Sequence, residues 1–217
     1  MRSRYPVCLM AALVATGTYL TFTFLAYDRY PLRFTPGQNW LSDLGNAIDN
    51  PGGAAFYNVG VIITALLQAA WFAGLVQWVL ERNMVQKRLL AISLASGLLC
   101  SVALVMSAVY PIHLAAVHSF WSKLHFSLSG IAFGFSAAAL RYHPAVTRRV
   151  LFLGVLASLT PFLMFTLGQG KVYWMEWAAV GAFILYILAV GRQSQKLNQG
   201  HHKYWRGARP HQQEYMP

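Results

Sequence analysis

Of the 217 residues, 57% are hydrophobic and only 11% are charged, and mean hydropathy is +0.44. Soluble domains run at roughly 45–50% apolar and about 25% charged residues, so an ordinary soluble globule is excluded and a membrane bundle of one domain is indicated. The formal charge of +11 does not imply a nucleic-acid partner, because the Lys and Arg residues sit at the ends of apolar runs and form no basic stripe or binding motif.

In chain order, the first apolar run covers about residues 6–27, after the basic start Arg2 and Arg4. It is longer than a signal-peptide core and no small-x-small cleavage site follows, so a retained first helix is predicted. A polar segment rich in Gly and Pro follows, to about residue 55. The second helix is predicted at 56–80, ending at the charged turn that begins with Glu81 and Arg82, and the third at 89–109. Beyond Tyr110-Pro111-Ile112-His113, the remaining helices are predicted at 118–140, 150–167 and 172–190. Residues 1–192 thus read as an all-α domain of six transmembrane helices, and 193–217 as a basic cytoplasmic tail, expected to be mobile. Within the tail, His201 to Arg206 mixes basic and aromatic residues as segments that lie on an anionic leaflet do.

Loop charge orients the predicted bundle. With the N-terminus inside, thirteen of the seventeen Lys and Arg residues fall in cytoplasmic segments, and only Arg29, Arg33, Lys123 and Lys171 fall outside. Such an excess in short loops predicts both termini in the cytoplasm and an even number of spans. Four of the six carboxylates, Asp28, Asp43, Asp49 and Glu176, collect on the opposite, exoplasmic face.

Cys8 and Cys100 fall at different depths, so a disulfide is not expected. Gly130 with Gly134, and Ser93 with Gly97, give small residues at spacing four, read as intramolecular helix packing. Pro161 interrupts the fifth helix, with Ser158 or Thr160 expected to satisfy part of the freed backbone.

Two segments carry residues suited to chemistry. In the first loop, Ser42-Asp43-Leu44-Gly45 reads as a turn tucked toward the membrane surface, where Asp43 can cap a helix, bind a cation or act as an acid or base. At the start of the fourth helix, His118, Ser122 and His125 fall at i, i+4 and i+7, on one stripe. With a carboxylate from another loop, the two histidines could ligate zinc or another transition metal, although zinc helices more often place His at i and i+4. His125 lies deep in an apolar run, where an ionisable residue marks a functional site by default, and Gln68 reads as an interhelical hydrogen-bonding group. Asp43, His118 and His125 are therefore predicted to converge at the outer end of the bundle as catalytic candidates. Ser42, Asn46, His113 and Glu176 are the associated binding candidates. No cofactor is specified by these residues, and a Ser-His-Asp hydrolase built on adjacent Ser42 and Asp43 lacks a nucleophile elbow.

Taken together, the Ser42-Asp43-Leu44-Gly45 turn, Asn50-Pro51, Phe56-Tyr57-Asn58, and Tyr110-Pro111 with His125 resemble domain-of-unknown-function family 998. That is a mainly prokaryotic membrane group, similar in layout to the six-helix Frag/DRAM/Sfk proteins. The resemblance covers roughly residues 10–190 and implies that Asp43 matches the motif aspartate and His125 the helix-four histidine. This chain departs from the pattern at Ile112-His113, where the family often carries an acidic residue, which leaves shared metal or proton chemistry open. The Frag/DRAM/Sfk likeness implies lipid remodelling or membrane trafficking. The expectation is thus a multi-pass protein with an exoplasmic polar pocket handling a lipid or other amphipathic molecule, whether or not as an enzyme. Membrane lipids are the expected partners. A transporter or channel lined by His125, Gln68 and the threonines of the first helix, and a non-catalytic scaffold, are the alternatives.

Overall fold

In a bilayer each backbone N–H and C=O must be paired within its own helix, so long apolar runs become helices. The computed structural model describes residues 6–167 and 172–207. Six α-helices appear there: α1 (Val7–Tyr27), α2 (Ala54–Gly74), α3 (Met84–Val109), α4 (Ala115–Leu140), α5 (Arg148–Leu167) and α6 (Trp174–Gly207). No strand occurs among the described residues. α1, α2 with its 3-10 extension Leu75–Trp78, α3, and Trp174–Gln195 of α6 are each long and apolar enough to cross a membrane.

Short connections make consecutive helices neighbours, and each helix packs on the next in order. α6 returns to α1, closing the ring. Two ends are set by local chemistry. α3 starts at Met84, earlier than residue 89, because Asn83 caps it: the Asn83 side chain accepts the Gln86 N–H at 2.9 Å. The fully buried Gln86 side chain then accepts the Leu80 N–H (2.7 Å) and donates to the Trp78 carbonyl (3.1 Å), which holds the α2–α3 turn closed. α6 runs past the predicted end at 190 to Gly207, so residues 193–207 of the expected tail are helical. The rest of the tail, 208–217, lies outside the described residues, as do Arg2, Arg4 and Lys171.

The small residues at spacing four sit at contacts within the chain. Ser158 on α5 donates to the Gly130 carbonyl at 2.8 Å, and a methyl group on Gly130 would run into Phe162 and the α5 backbone. Ser93 donates across to the Ala132 carbonyl on α4 at 2.9 Å. This corrects the expectation for Pro161. Ser158 spends its hydroxyl on α4, and the buried Thr160 hydroxyl has no partner among the described residues, so neither satisfies the backbone freed by the proline.

The half of the ring away from the first loop, the inner half, is filled by aromatic side chains. Phe72 stacks on Phe133 with ring centroids 5.5 Å apart, while Trp71 and Tyr186 meet Phe133 edge to face at 6.0 and 5.6 Å. All four are essentially fully buried. Under the layer the Tyr186 hydroxyl and Ser136 share a hydrogen bond of 2.7 Å.

Candidate functional site

The long first loop folds back as a lid over one end of the ring, which is the outer end in that sense alone. Leu41–Gly45 is a single 3-10 turn with Leu41 and Leu44 buried beneath it. Asn50, completely buried, donates to the carbonyls of Ala26 (3.1 Å) and Leu44 (2.9 Å) and so ties the loop to the end of α1. Asn58 of α2 donates to the Gly45 carbonyl at 3.0 Å, an approach that leaves no room for a side chain at Gly45. These bonds give physical content to Ser-Asp-Leu-Gly, Asn-Pro and Phe-Tyr-Asn as one packed unit.

α6 latches the lid from the other side. The buried carboxylate of Glu176 accepts the Leu41 N–H at 2.7 Å, and Ser42 also reaches it. Trp177 donates from its indole to the Asn39 carbonyl (3.0 Å), and the rings of Trp40 and Tyr173 meet 4.9 Å apart.

Below the lid lie two adjoining cavities. The outer one, about 480 Å³, is bounded by the lid, α4, Met164 of α5 and α6, and includes Lys123. The inner one, about 110 Å³, runs down between α1, α2, α3, α4 and α6 to the aromatic layer at Trp71 and Phe133. A water needs roughly 10–15 Å³ on this measure, so the inner cavity has room for several waters or a slim chain. Ser42, His118, Ser122, Phe126 and Glu176 line both cavities and form the passage between them. Its wall carries Ser42, Asn58 and Glu176 near the lid and is mainly apolar deeper in, where Val61, Phe183, Ile184 and Ile187 are joined by Thr16, Thr64, Gln68 and His125.

Both histidines of the α4 stripe are oriented by backbone carbonyls of the neighbouring helix. His118 Nδ1 lies 2.9 Å from the carbonyls of Ser107 and of Tyr110. The partner that would ordinarily bond the Ser107 carbonyl along the helix is residue 111, and Pro111 has no N–H. The imidazole therefore caps a carbonyl that the proline leaves open, which explains why Tyr-Pro and His118 belong together. His125 Nδ1 lies 3.2 Å from the Cys100 carbonyl and 3.2 Å from its sulfur. Carbonyl oxygens only accept, so Nδ1 carries a proton in both rings. Nε2 has no hydrogen-bond partner in either ring among the described residues.

Cys100 sits behind His125, fully buried and off the cavity wall, with Gln68 at 3.1 Å and Ser129 at 3.0 Å from its sulfur. It positions the imidazole and is not presented to the cavity as a nucleophile. The interhelical bond expected of Gln68 is the one to Cys100, which links α2 to α3. Cys8 and Cys100 are both free.

The predicted candidates divide in two. Ser42, His118, His125 and Glu176 share the inner cavity wall. Asp43, Asn46 and His113 line neither cavity. The Asp43 carboxylate turns back to accept the Trp40 N–H at 2.9 Å, capping its own turn. Burial pushes its pKa above the ordinary 3.8, while the Trp40 N–H, the Asn39 side chain and the nearby His118 pull the other way. Asn46 bonds to Asp49 and to the Ile48 N–H on the outside of the loop, and His113 is exposed. Tyr19, Tyr57, Asn58, Thr64 and Trp71 complete the inner wall without having been singled out from sequence as site residues. Isolated polar or aromatic residues in apolar helices carry no spacing signal. No group of three or more His, Cys, Asp and Glu side chains is placed to hold a metal ion among the described residues.

No protein-family model matches the chain, and no curated protein or solved structure matches it either.

Proposed function

We propose that this chain is a six-span membrane protein, with both termini cytoplasmic, that takes an amphipathic molecule, in the first place a lipid, into its cavity from the exoplasmic side. The observation that carries the reading is the pair of joined cavities under a latched lid, with the charged residues Lys123 and Glu176 at the mouth and a mainly apolar wall at depth. That is the polarity profile of an amphiphile with its head outward.

Six spans are supported by where α4 and α5 put their polar groups. On α4, His118, His125, Ser129 and Ser136 are buried, while Phe120 (59% exposed) and Ile131 (38%) face outward. On α5 the charges, Arg148 and Arg149, sit at one end, and Phe152, Val155 and Leu159 are exposed. An apolar outer face on every helix of the ring matches a lipid-facing surface. The basic asymmetry supports the orientation. The aromatic layer beneath the cavity favours binding over conduction, since a path through the ring would have to cross Trp71, Phe72, Phe133 and Tyr186. The resemblance to family 998 belongs to the same proposal, its motif residues being those that build the lid and seat His118 and His125.

Two measurements test the reading. A cysteine at Ile48, 74% exposed, should react with an impermeant reagent from outside and one at Glu81 should not. Asn50, fully buried, would be an unsuitable reporter. Native mass spectrometry of the purified protein should show a retained amphiphile that Ser42→Trp at the passage displaces. The reverse labelling pattern, or a protein that carries no amphiphile and takes none up, overturns it.

A further inference from the structure

The wall of the outer cavity carries a cation and two hydroxyls that the rest of the chain leaves unused. Lys123 is exposed and makes no ion pair or hydrogen bond among the described residues. The hydroxyls of Ser119 and Ser122, both only partly buried, have no hydrogen-bond partner there either. Ser119 and Lys123 stand one turn apart on α4, hence on one face, and Ser122 adjoins them.

The other charged or titratable groups of this wall are already engaged. Glu176, its one carboxylate, accepts the Leu41 N–H at 2.7 Å and is also reached by Ser42, so its oxygens are turned onto the lid. His118 is held through Nδ1 by the Ser107 and Tyr110 carbonyls. Lys123 is the only Lys or Arg on the wall, beside a space of about 480 Å³. Since a water needs roughly 10–15 Å³ on this measure, a polyatomic headgroup has room.

Depth suits a headgroup too. α4 begins at Ala115, which puts Lys123 about 12 Å along the helix at roughly 1.5 Å per residue. In the six-span reading a bare ammonium at that level is costly, and its flexible stem carries it outward toward the polar boundary. Lys123 is both exposed and a wall residue, so the cavity reaches the protein surface there.

We infer that the outer cavity is the site for the anionic head of an acidic amphiphile, held by Lys123 with Ser119 and Ser122, an inference that rests on the amphiphile-binding reading above. An ammonium and two O–H donors complement an oxyanion such as a phosphate. A neutral head leaves the lysine uncompensated, and a zwitterionic one sets its own cation against it. The chain of such a molecule continues past Phe126 into the mainly apolar inner cavity.

Matched lipids test it. The protein is reconstituted in nanodiscs of equal phosphatidylglycerol and phosphatidylcholine with identical chains, and the lipid retained in detergent is read by native mass spectrometry. Phosphatidylglycerol should be retained about fivefold over phosphatidylcholine. Lys123→Gln should cut that ratio by about threefold to tenfold, and Lys123→Arg should hold it. Ser119→Ala combined with Ser122→Ala should cut it by about twofold or more, and carries the test if Lys123→Gln does not fold. Arg33→Gln removes the same charge from the lid loop, off both cavities, and should leave the ratio unchanged. Equal retention of the two lipids, a ratio indifferent to Lys123→Gln, or an equal fall with Arg33→Gln overturns the headgroup site while leaving amphiphile binding intact. Displacement of the lipid by excess glycerol phosphate, a phosphate head without chains, assigns the site to a soluble anion and overturns the inference. A protein that retains no lipid overturns both readings.

Discussion

The two halves of the bundle treat polar groups differently. In the inner half, several are matched to partners on another element: Ser93 to the Ala132 carbonyl, Ser136 to Tyr186, Gln86 to the Trp78 carbonyl and the Leu80 N–H, and Gln193 to Thr147, while the Trp71 and Trp78 indole N–H groups and the Gln77 amide stay unpartnered among the described residues. Aromatic rings fill the space between. In the outer half, the polar side chains converge on a cavity, and several of their atoms, Nε2 of two histidines among them, face it unpaired. Buried polar groups that pair internally specify a fold, and ones held open toward a cavity are available to a ligand. The difference separates polar groups spent on holding helices together from polar groups left open to a cavity.

That separation can be broken, and the largest effect should come from the inner half. Phe133→Ala removes the ring that joins Phe72, Trp71, Phe183 and Tyr186. It should destabilise the bundle by about 3–5 kcal/mol, seen as a lower thermal unfolding midpoint in detergent. A variant as stable as the parent would show that the aromatic layer is not what holds the ring.

In the outer half, His125→Ala should reduce retained amphiphile by tenfold or more, measured by mass spectrometry, while the unfolding midpoint falls far less than for Phe133→Ala. Its Nδ1 makes only long contacts to Cys100, at 3.2 Å, so the hydrogen-bonding part of the stability cost is about 1 kcal/mol, beside the lost ring contacts with Phe126 and Phe183. Unfolding without a selective loss of ligand would place His125 with the structural residues.

A smaller effect sharpens the role of the latch. Glu176→Gln keeps an acceptor for the Leu41 N–H and removes its charge. Charge-assisted hydrogen bonds exceed neutral ones by about 1 kcal/mol. Amide exchange of the lid residues 41–45 should therefore quicken about fivefold, with exchange in the aromatic layer unchanged. Uniform quickening would mean that the latch supports the whole bundle.

The smallest effect concerns Asp43. Its folded-state pKa is raised above the ordinary value, chiefly by burial, so the folded protein binds the proton more tightly than the unfolded chain. That contribution to stability is full below about pH 3.8 and is lost as pH rises through the raised value. Asp43→Asn should flatten this part of the stability profile while preserving the Trp40 N–H bond. A profile unchanged by the substitution would remove Asp43 from the pH response of the lid.

The helices, the depth of His125 and the polar first loop were legible in the sequence because each follows from a local cause. An apolar run in a bilayer has one way to pair its backbone, and a Gly- and Pro-rich segment cannot continue it. Helix spacing alone put His118, Ser122 and His125 on one stripe. Contacts across the chain were not legible. Glu176 meets Leu41 over 135 residues, and Trp177 meets Asn39 over 138. Which carboxylate enters the cavity and which caps its own turn depends on how α6 and the lid dock, and Asp43 is the one that turns back. Cys100 behind His125, and the indole of Trp71 left without a partner, likewise depend on the facing of α2, α3 and α4. Hydropathy and periodicity act within one helix. The pairing of polar atoms is settled only when helices distant in sequence choose which faces to bury against each other.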